Sequence, residues 1–194
     1  GIRDRLRSRG LRDVYKRQVM RLAVLLAASL ACVGIGFAKS AALSAHVKDL
    51  ETLQKIIQYL RGEIVTAASP LPDAFWETGR RMRDPYRDFL QDISEDMRRP
   101  DGKTLPAILE ENTAVHLADT RLTKEEKEEL QEAGCSLGTG DRAMQKANLD
   151  RYEARLVQRI AELQKGLPER KRLCQSLGTV SYTHLRAHET GAYL

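Results

Sequence analysis

The chain has 194 residues, 32 basic and 27 acidic side chains, and only 5% aromatic residues. That length suits one domain of ordinary size, and a composition rich in Leu, Ala, Glu, Arg and Lys favours helix over sheet. A net charge of +5 and a pI near 9.2 would suggest nucleic acid as a partner, but the surplus lies in the two chain ends, whose origin excludes the inference.

Residues 1–19 read as adapter-derived and non-native. Asp13-Val14-Tyr15-Lys16-Arg17-Gln18 translates GAT GTG TAT AAG AGA CAG, the end of a transposase-based sequencing adapter. The reverse complement of that string gives Val180-Ser181-Tyr182-Thr183-His184. Ser8-Arg9-Gly10-Leu11 in turn reverse-complements into residues 185–190, with Arg12 as the misfit. Segments 1–19 and 180–194 are therefore set apart from fold reasoning, and the native frame is expected to run from Met20 to about Thr179. The flanks hold 8 of the basic and 3 of the acidic residues, which leaves 24 of each and no net charge. No nucleic-acid partner is expected. His184 and His188 have metal-like spacing but fall in the flank, so they are set aside as ligands.

Residues 20–42 form the expected membrane anchor helix. Leu22–Ala38 carries no charge, and 17 helical residues cover ~25 Å against a hydrocarbon core of ~30 Å. Ser40 to Leu43 can lengthen the rod, and Arg21 and Lys39 can snorkel at its ends. A cleaved signal peptide is the alternative, with Met20-Arg21 as its n-region and Gly36-Phe37-Ala38 as the cleavage site. A lipid on Cys32 is disfavoured, because Ser29 stands where such a motif wants a large aliphatic residue.

From residue 43 to 179 the pattern becomes amphipathic and predicts a soluble helical domain. Leu43, Leu50, Ile57 and Ile64 recur every seven residues, with Val47, Leu53, Leu60 and Ala67 beside them. This first helix should end near Ala68, where Ser69-Pro70-Leu71-Pro72 forces an extended corner. A second helix starts at Pro72 and Asp73, with Ala74, Phe75, Thr78 and Met82 as its apolar stripe. Asp84-Pro85 ends it. Tyr86, Phe89, Leu90, Ile93 and Met97 mark a third helix. Thr104 is the expected cap of a fourth, burying Leu105, Ile108, Leu109, Val115 and Leu117. Thr123 to Glu126 is a capping box opening a fifth helix that ends around Cys135. Leu137-Gly138-Thr139-Gly140-Asp141 is a turn, and Asp141 caps a last helix with a near-heptad, coiled-coil-like seam of Ala143, Leu149, Tyr152, Leu156, Ile160, Leu163 and Leu167. Gly166-Leu167-Pro168 should interrupt it. No alternating strand pattern appears, so the expected fold is an all-α antiparallel bundle.

No catalytic, cofactor or metal site is expected, and the chain does not read as an enzyme. Gly34-Ile35-Gly36 lies in the apolar run and Gly138-Thr139-Gly140 follows a helix, so neither has the strand a phosphate loop needs. His46, His116 and Trp76 stand alone and read as packing or surface residues. The acidic run Glu125 to Glu129 reads as a solvated helix face. Cys32, Cys135 and Cys174 lack disulfide or zinc spacing and read as thiols in a reducing compartment.

The order of parts resembles the stage III sporulation protein AB family of endospore-forming bacteria. The resemblance covers nearly all of Met20 to Gly178. It rests on Gly34-Ile35-Gly36-Phe37, Leu60-Arg61-Gly62-Glu63-Ile64 and Pro70-Leu71-Pro72-Asp73-Ala74. Its most specific part is Leu122-Thr123 followed by Leu137-Gly138-Thr139-Gly140-Asp141, Gln145 and Leu177-Gly178. Pro70, Pro72, Gly138, Asp141 and Gln145 are its structural motif positions.

The resemblance implies a membrane protein of the mother cell, in the channel that joins mother cell and forespore. Its helical domain would resemble the cytoplasmic domain of type II secretion platform proteins. Implied partners are a cytoplasmic secretion-type ATPase, other membrane proteins of the channel, and membrane lipid. An adaptor of this kind needs a docking surface, and the candidates are Arg80, Arg81, Arg83, Asp88, Asp92 and Glu95. Two departures stand out: Cys174 occupies a position where an aromatic is usual, and residues 180–194 replace an expected second apolar helix. The alternative class is an exported or lipid-anchored helical scaffold with a cleaved signal.

Overall fold

The computed structural model describes the backbone of residues 2–100, 102–138 and 140–165. Side chains are described over the same ranges from residue 34 onward, and at Met20, Ala23, Val24, Ala27 and Ala31. The chain divides into two compact units, Gly1–Ala41 with Leu167–Leu194, and Ala42–Gly166. The order of elements is α1 (Ile2–Arg61), a π-helical turn (Gly62–Thr66), α2 (Leu71–Arg80), α3 (Tyr86–Arg98), α4 (Leu105–His116), α5 (Lys124–Cys135), a 3-10 turn (Ser136–Gly138) and α6 (residues 142–165). No strand occurs among the described residues, and the fold is all-α.

In the first unit the described residues belong to α1, and Met20, Val24, Ile35 and Phe37 are exposed on it. Among the described residues no helix is long and apolar enough to cross a membrane. Many side chains of the charge-free run Leu22–Ala38 lie outside the described set. The expected anchor of residues 20–42 therefore gains no support here. The expected break at 166–168, Leu167, Cys174 and segment 180–194 also lie outside the described residues.

The second unit is a six-helix bundle. The heptad positions of α1 become its spine: Val47, Leu50, Leu53, Ile57, Leu60 and Ile64 are buried, as is Ile56. Fully burying one such side chain contributes about 1.5–3 kcal/mol. α6 runs antiparallel to this part of α1. The Gln58 amide donates to Glu153 at 2.7 Å, Arg61 donates to Asp150 at 2.8 Å and to Glu153 at 2.7 Å, and Gln164 meets Glu51 at 3.2 Å. Leu149, Tyr152, Leu156 and Ile160 form the buried line of α6. Helices α2 to α5 pack each on the next and complete the bundle.

Several local expectations change. The first helix does not reach Ala68 as an α-helix. After Arg61 the ladder widens, the Ala67 amide donates to Gly62 O at 3.1 Å, and the Ser69 amide donates back to Glu63 O at 3.0 Å. Ala68 closes this end at φ +55, a left-handed conformation usual for glycine. Thr104 stands at the N-cap of α4, but its side chain makes no capping bond. Val115 is 66% exposed, and Asn112 and Thr113 take the inner face of α4 in its stead. Asn112 is held there by Asp96 and the Ile108 carbonyl, both at 2.9 Å. Ala143 is exposed, and Ala67 likewise. Met82, Met97, Leu105 and Leu163 are half-buried.

Candidate partner surface

The expected surface is carried by the α2–α3 hairpin. Pro70 enters α2 extended (φ −56, ψ 148), and Pro72 lies in its first turn, where a missing amide hydrogen costs nothing. The Ser94 hydroxyl donates to Pro72 O at 2.7 Å. Asp73 receives Arg98 at 2.6 Å, and Arg98 also stands 5.9 Å over the Trp76 ring. The hairpin closes tightly at Gly79: a Cβ there would lie 3.1 Å from Gln91 Cγ and 3.3 Å from the Arg87 carbonyl oxygen. Trp76, alone in the sequence, is thus part of the hairpin's outer packing.

The six candidate charges differ in how firmly they are tied to neighbours. Arg80 is well exposed and pairs along its helix with Glu77 at 3.2 Å. Arg81 turns back to Glu63 at 3.0 Å and stacks 5.3 Å over the Tyr59 ring, which ties the end of α2 to the π-helical turn. Asp88 is taken by Arg87 at 3.1 Å. Asp92 pairs with His116 at 2.8 Å and so joins α3 to α4. Arg83 and Glu95 are exposed. Arg81 and Asp92 are therefore tied into the framework, and Arg80, Arg83 and Glu95 are the charges most open to a partner.

The motif residues of the α5–α6 turn act on the backbone. Gly140 has φ +87, and a Cβ on it would meet Met144 Sδ at 2.8 Å. The Met144 amide donates to Asp141 Oδ1 at 2.8 Å, which caps α6. The Gln145 amide side chain donates to Leu137 O at 2.7 Å. Gly138 closes the 3-10 turn against Leu105.

Among the described residues Glu126 is a highly connected polar group: expected both as half of a capping box and as part of a solvated acidic face, it keeps the first role and departs from the second, because it is buried. Its carboxylate accepts from the Thr123 amide at 2.8 Å while its own amide donates to Thr123 Oγ1 at 3.2 Å. Oε2 also lies 2.8 Å from His46 Nε2 on α1, and Arg159 of α6 stands 3.6 Å from Oε1 and 3.0 Å from Glu129. Only 3% of Glu126 is exposed, so one buried carboxylate is shared by three helices. Nearby, Asp49 accepts from the Arg121 amide at 2.8 Å. The buried Tyr86 hydroxyl lies beside Asp49 without reaching hydrogen-bonding geometry, and the Tyr152 hydroxyl is also buried without a partner. Burial first, then Asp49, pushes the Tyr86 hydroxyl far up; burial and then Glu129 do the same at Tyr152.

Among the described residues no group of three His, Cys, Asp or Glu is placed to hold a metal. Cys135 is a free, half-buried thiol pushed up by burial. A void of about 20 Å³ lies where Leu53, Leu60, Phe89, Leu109, Leu130 and Leu149 converge. Its lining is apolar, and it is far below the few hundred Å³ of an ordinary ligand pocket.

The family model described as stage III sporulation protein AB matches residues 21–181. A solved structure described as stage III sporulation protein AB matches with a TM-score of 0.57 and 20% identity, over 63% of this chain and 96% of its own. At that identity the likeness speaks for the fold. No curated protein sequence matches the chain.

Proposed function

The chain belongs to the stage III sporulation protein AB family, and from that premise we propose that it is a non-enzymatic, membrane-anchored adaptor which couples a cytoplasmic secretion-type ATPase to the sporulation channel. The family is a component of that multi-protein channel. The single observation that carries the adaptor reading is the form of the bundle: its interior is filled by side chains down to a void of about 20 Å³, and its polar groups are spent on joining helices. Such a body transmits contacts from one face to another, as an adaptor must.

The anchor is proposed over residues 20–42, with the bundle on the cytoplasmic, mother-cell side. Supporting it are the charge-free run Leu22–Ala38 and the exposure of Val24, Ile35 and Phe37 on α1. Apolar side chains in such a row need a cover, and lipid supplies one. The unpaired Cys135 fits a reducing compartment.

The docking surface is proposed at the outer charges of α2 and α3, now narrowed to Arg80, Arg83 and Glu95. Rim charges of this kind set orientation and on-rate. Titration calorimetry with the ATPase of the same complex should show weak, salt-sensitive binding. Reversal at Arg80 and Arg83 should weaken it with the helical circular dichroism unchanged, since exposed substitutions shift stability by less than about 0.5 kcal/mol. No binding at any salt, with both proteins folded, would remove the ATPase from this reading.

A further inference from the structure

The bundle, Ala42–Gly166, carries 19 basic and 23 acidic residues, and two of its faces differ in character. On α6 the core line is Leu149, Tyr152, Leu156 and Ile160, and the opposite line is uncharged: Ala147, Ala154 and Ala161 recur every seven residues. Val157, 48% exposed, flanks that line on one side, and Arg151 and Arg155 flank it on the other. Neither arginine has an ion pair among the described residues; Arg155 only stands 5.7 Å over the Tyr152 ring.

The α4–α5 surface has the reverse character. Ala107 and Ala114 line the outside of α4 and Ala118 follows in the turn after it, with Val115 beside them at 66% exposure. Glu125, Glu128 and Glu132 follow one another at three and four residues along the exposed side of the adjacent α5. Only Glu128 is partly neutralised, by Lys124 at 3.5 Å. Val115 sits where an interior residue was expected, and no element of the bundle covers it.

We propose that these two faces meet between copies of this chain, α6 of one copy lying along the α4–α5 surface of the next. Three features make a second copy the fitting occupant. Each face offers an exposed valine beside a row of alanines, which lets helix backbones approach closely. The arginine pair and the glutamate pair Glu128 and Glu132 have the same four-residue spacing, so both can be matched at once. The faces are different surfaces of one molecule, so the contact is head-to-tail and repeats into a ring or a short filament. This inference does not depend on the ATPase reading.

The test is sedimentation velocity of the full chain in a mild non-ionic detergent, across protein concentration, at low and at 0.5 M salt (about a third of the low-salt screening length or less). Mass should grow with concentration at low salt and fall back at high salt. The double reversals Arg151→Glu with Arg155→Glu, and Glu128→Lys with Glu132→Lys, should each weaken association by about tenfold or more, because like charges then face each other. An equimolar mixture of the two variants should recover it, since each supplies the face the other has lost. Circular dichroism verifies that both remain folded. A monomer at every concentration and salt, association indifferent to both reversals, or failure of the mixture to recover would each overturn the proposal.

Discussion

His46 and Glu126 stand eighty positions apart in sequence and meet at 2.8 Å between ring Nε2 and carboxylate Oε2. With the carboxylate as acceptor, the imidazole carries its proton on Nε2. The contact fixes α1 to the first turn of α5, at the point where the capping box has already oriented the carboxylate.

Glu126→Ala should therefore cost more than a cap alone. Losing the box costs about 1 kcal/mol, and stranding the half-buried His46 imidazole adds about 1–3 kcal/mol, while Arg159 keeps Glu129. A total loss of about 2–4 kcal/mol is expected in urea denaturation. Glu126→Gln, which can still accept from the Thr123 amide, should lose clearly less. Equal losses would mean that the hydrogen bond kept by Gln contributes nothing and that the charge of the carboxylate carries the whole effect.

Ala68 should improve on replacement by glycine. An L side chain in the left-handed region costs roughly 1–2 kcal/mol, and the added freedom of glycine in the unfolded chain returns about 0.4–1 kcal/mol. Ala68→Gly should raise stability by up to about 1 kcal/mol, and Ala68→Val should lower it. Thermal melts of the three proteins give the order directly.

The two buried tyrosines set an alkaline limit. In the unfolded chain their hydroxyls lose protons near pH ~10; in the fold they hold them well above that. Above pH ~10 the unfolded state binds fewer protons, so stability falls as pH rises. Tyr86→Phe with Tyr152→Phe should move the alkaline unfolding midpoint upward. Near neutral pH the change should stay within about 1 kcal/mol, because neither hydroxyl has a bonded partner to lose. An unchanged alkaline midpoint would show that other groups govern this limit.

Asp141→Ala should cost about 1 kcal/mol, the usual value for a helix cap. The Met144 amide would then have only water to bond. Asp141→Asn, whose amide oxygen can still accept from Met144, should recover most of the loss, and urea melts of the pair separate the capping bond from the charge.

Most interactions that close within a turn of helix were legible, the Thr104 cap being the exception. Thr123 and Glu126 lie three residues apart, and the box forms as their spacing predicts. The heptad positions of α1 from Val47 to Ile64 are buried because the same seven-residue repeat faces the bundle throughout. Long-range pairing left no such trace: nothing near His46 points to Glu126, and nothing near Asp92 points to His116. Val115 was misjudged because apolar residues lie on both sides of α4, and hydrophobicity alone does not say which side faces in. The strained Ala68 was hidden because the residue type gives no sign of its backbone angle. Of the expected partner surface, exposure was readable for Arg80 and Arg83, whereas the ties of Arg81 and Asp92 required the fold.

The void at the centre of the bundle amounts to about 20 Å³, and its smallness bears on mechanics. Pressure unfolds proteins largely by eliminating internal empty space, and the volume released scales with that space. A void of this size gives the second unit little empty space at that point for pressure to eliminate. For the same reason it is poorly compressible, so a push delivered on one helix has little slack in which to dissipate. Displacement entering at α2 and α3 would reach α1 as movement of the whole bundle, more lever than cushion.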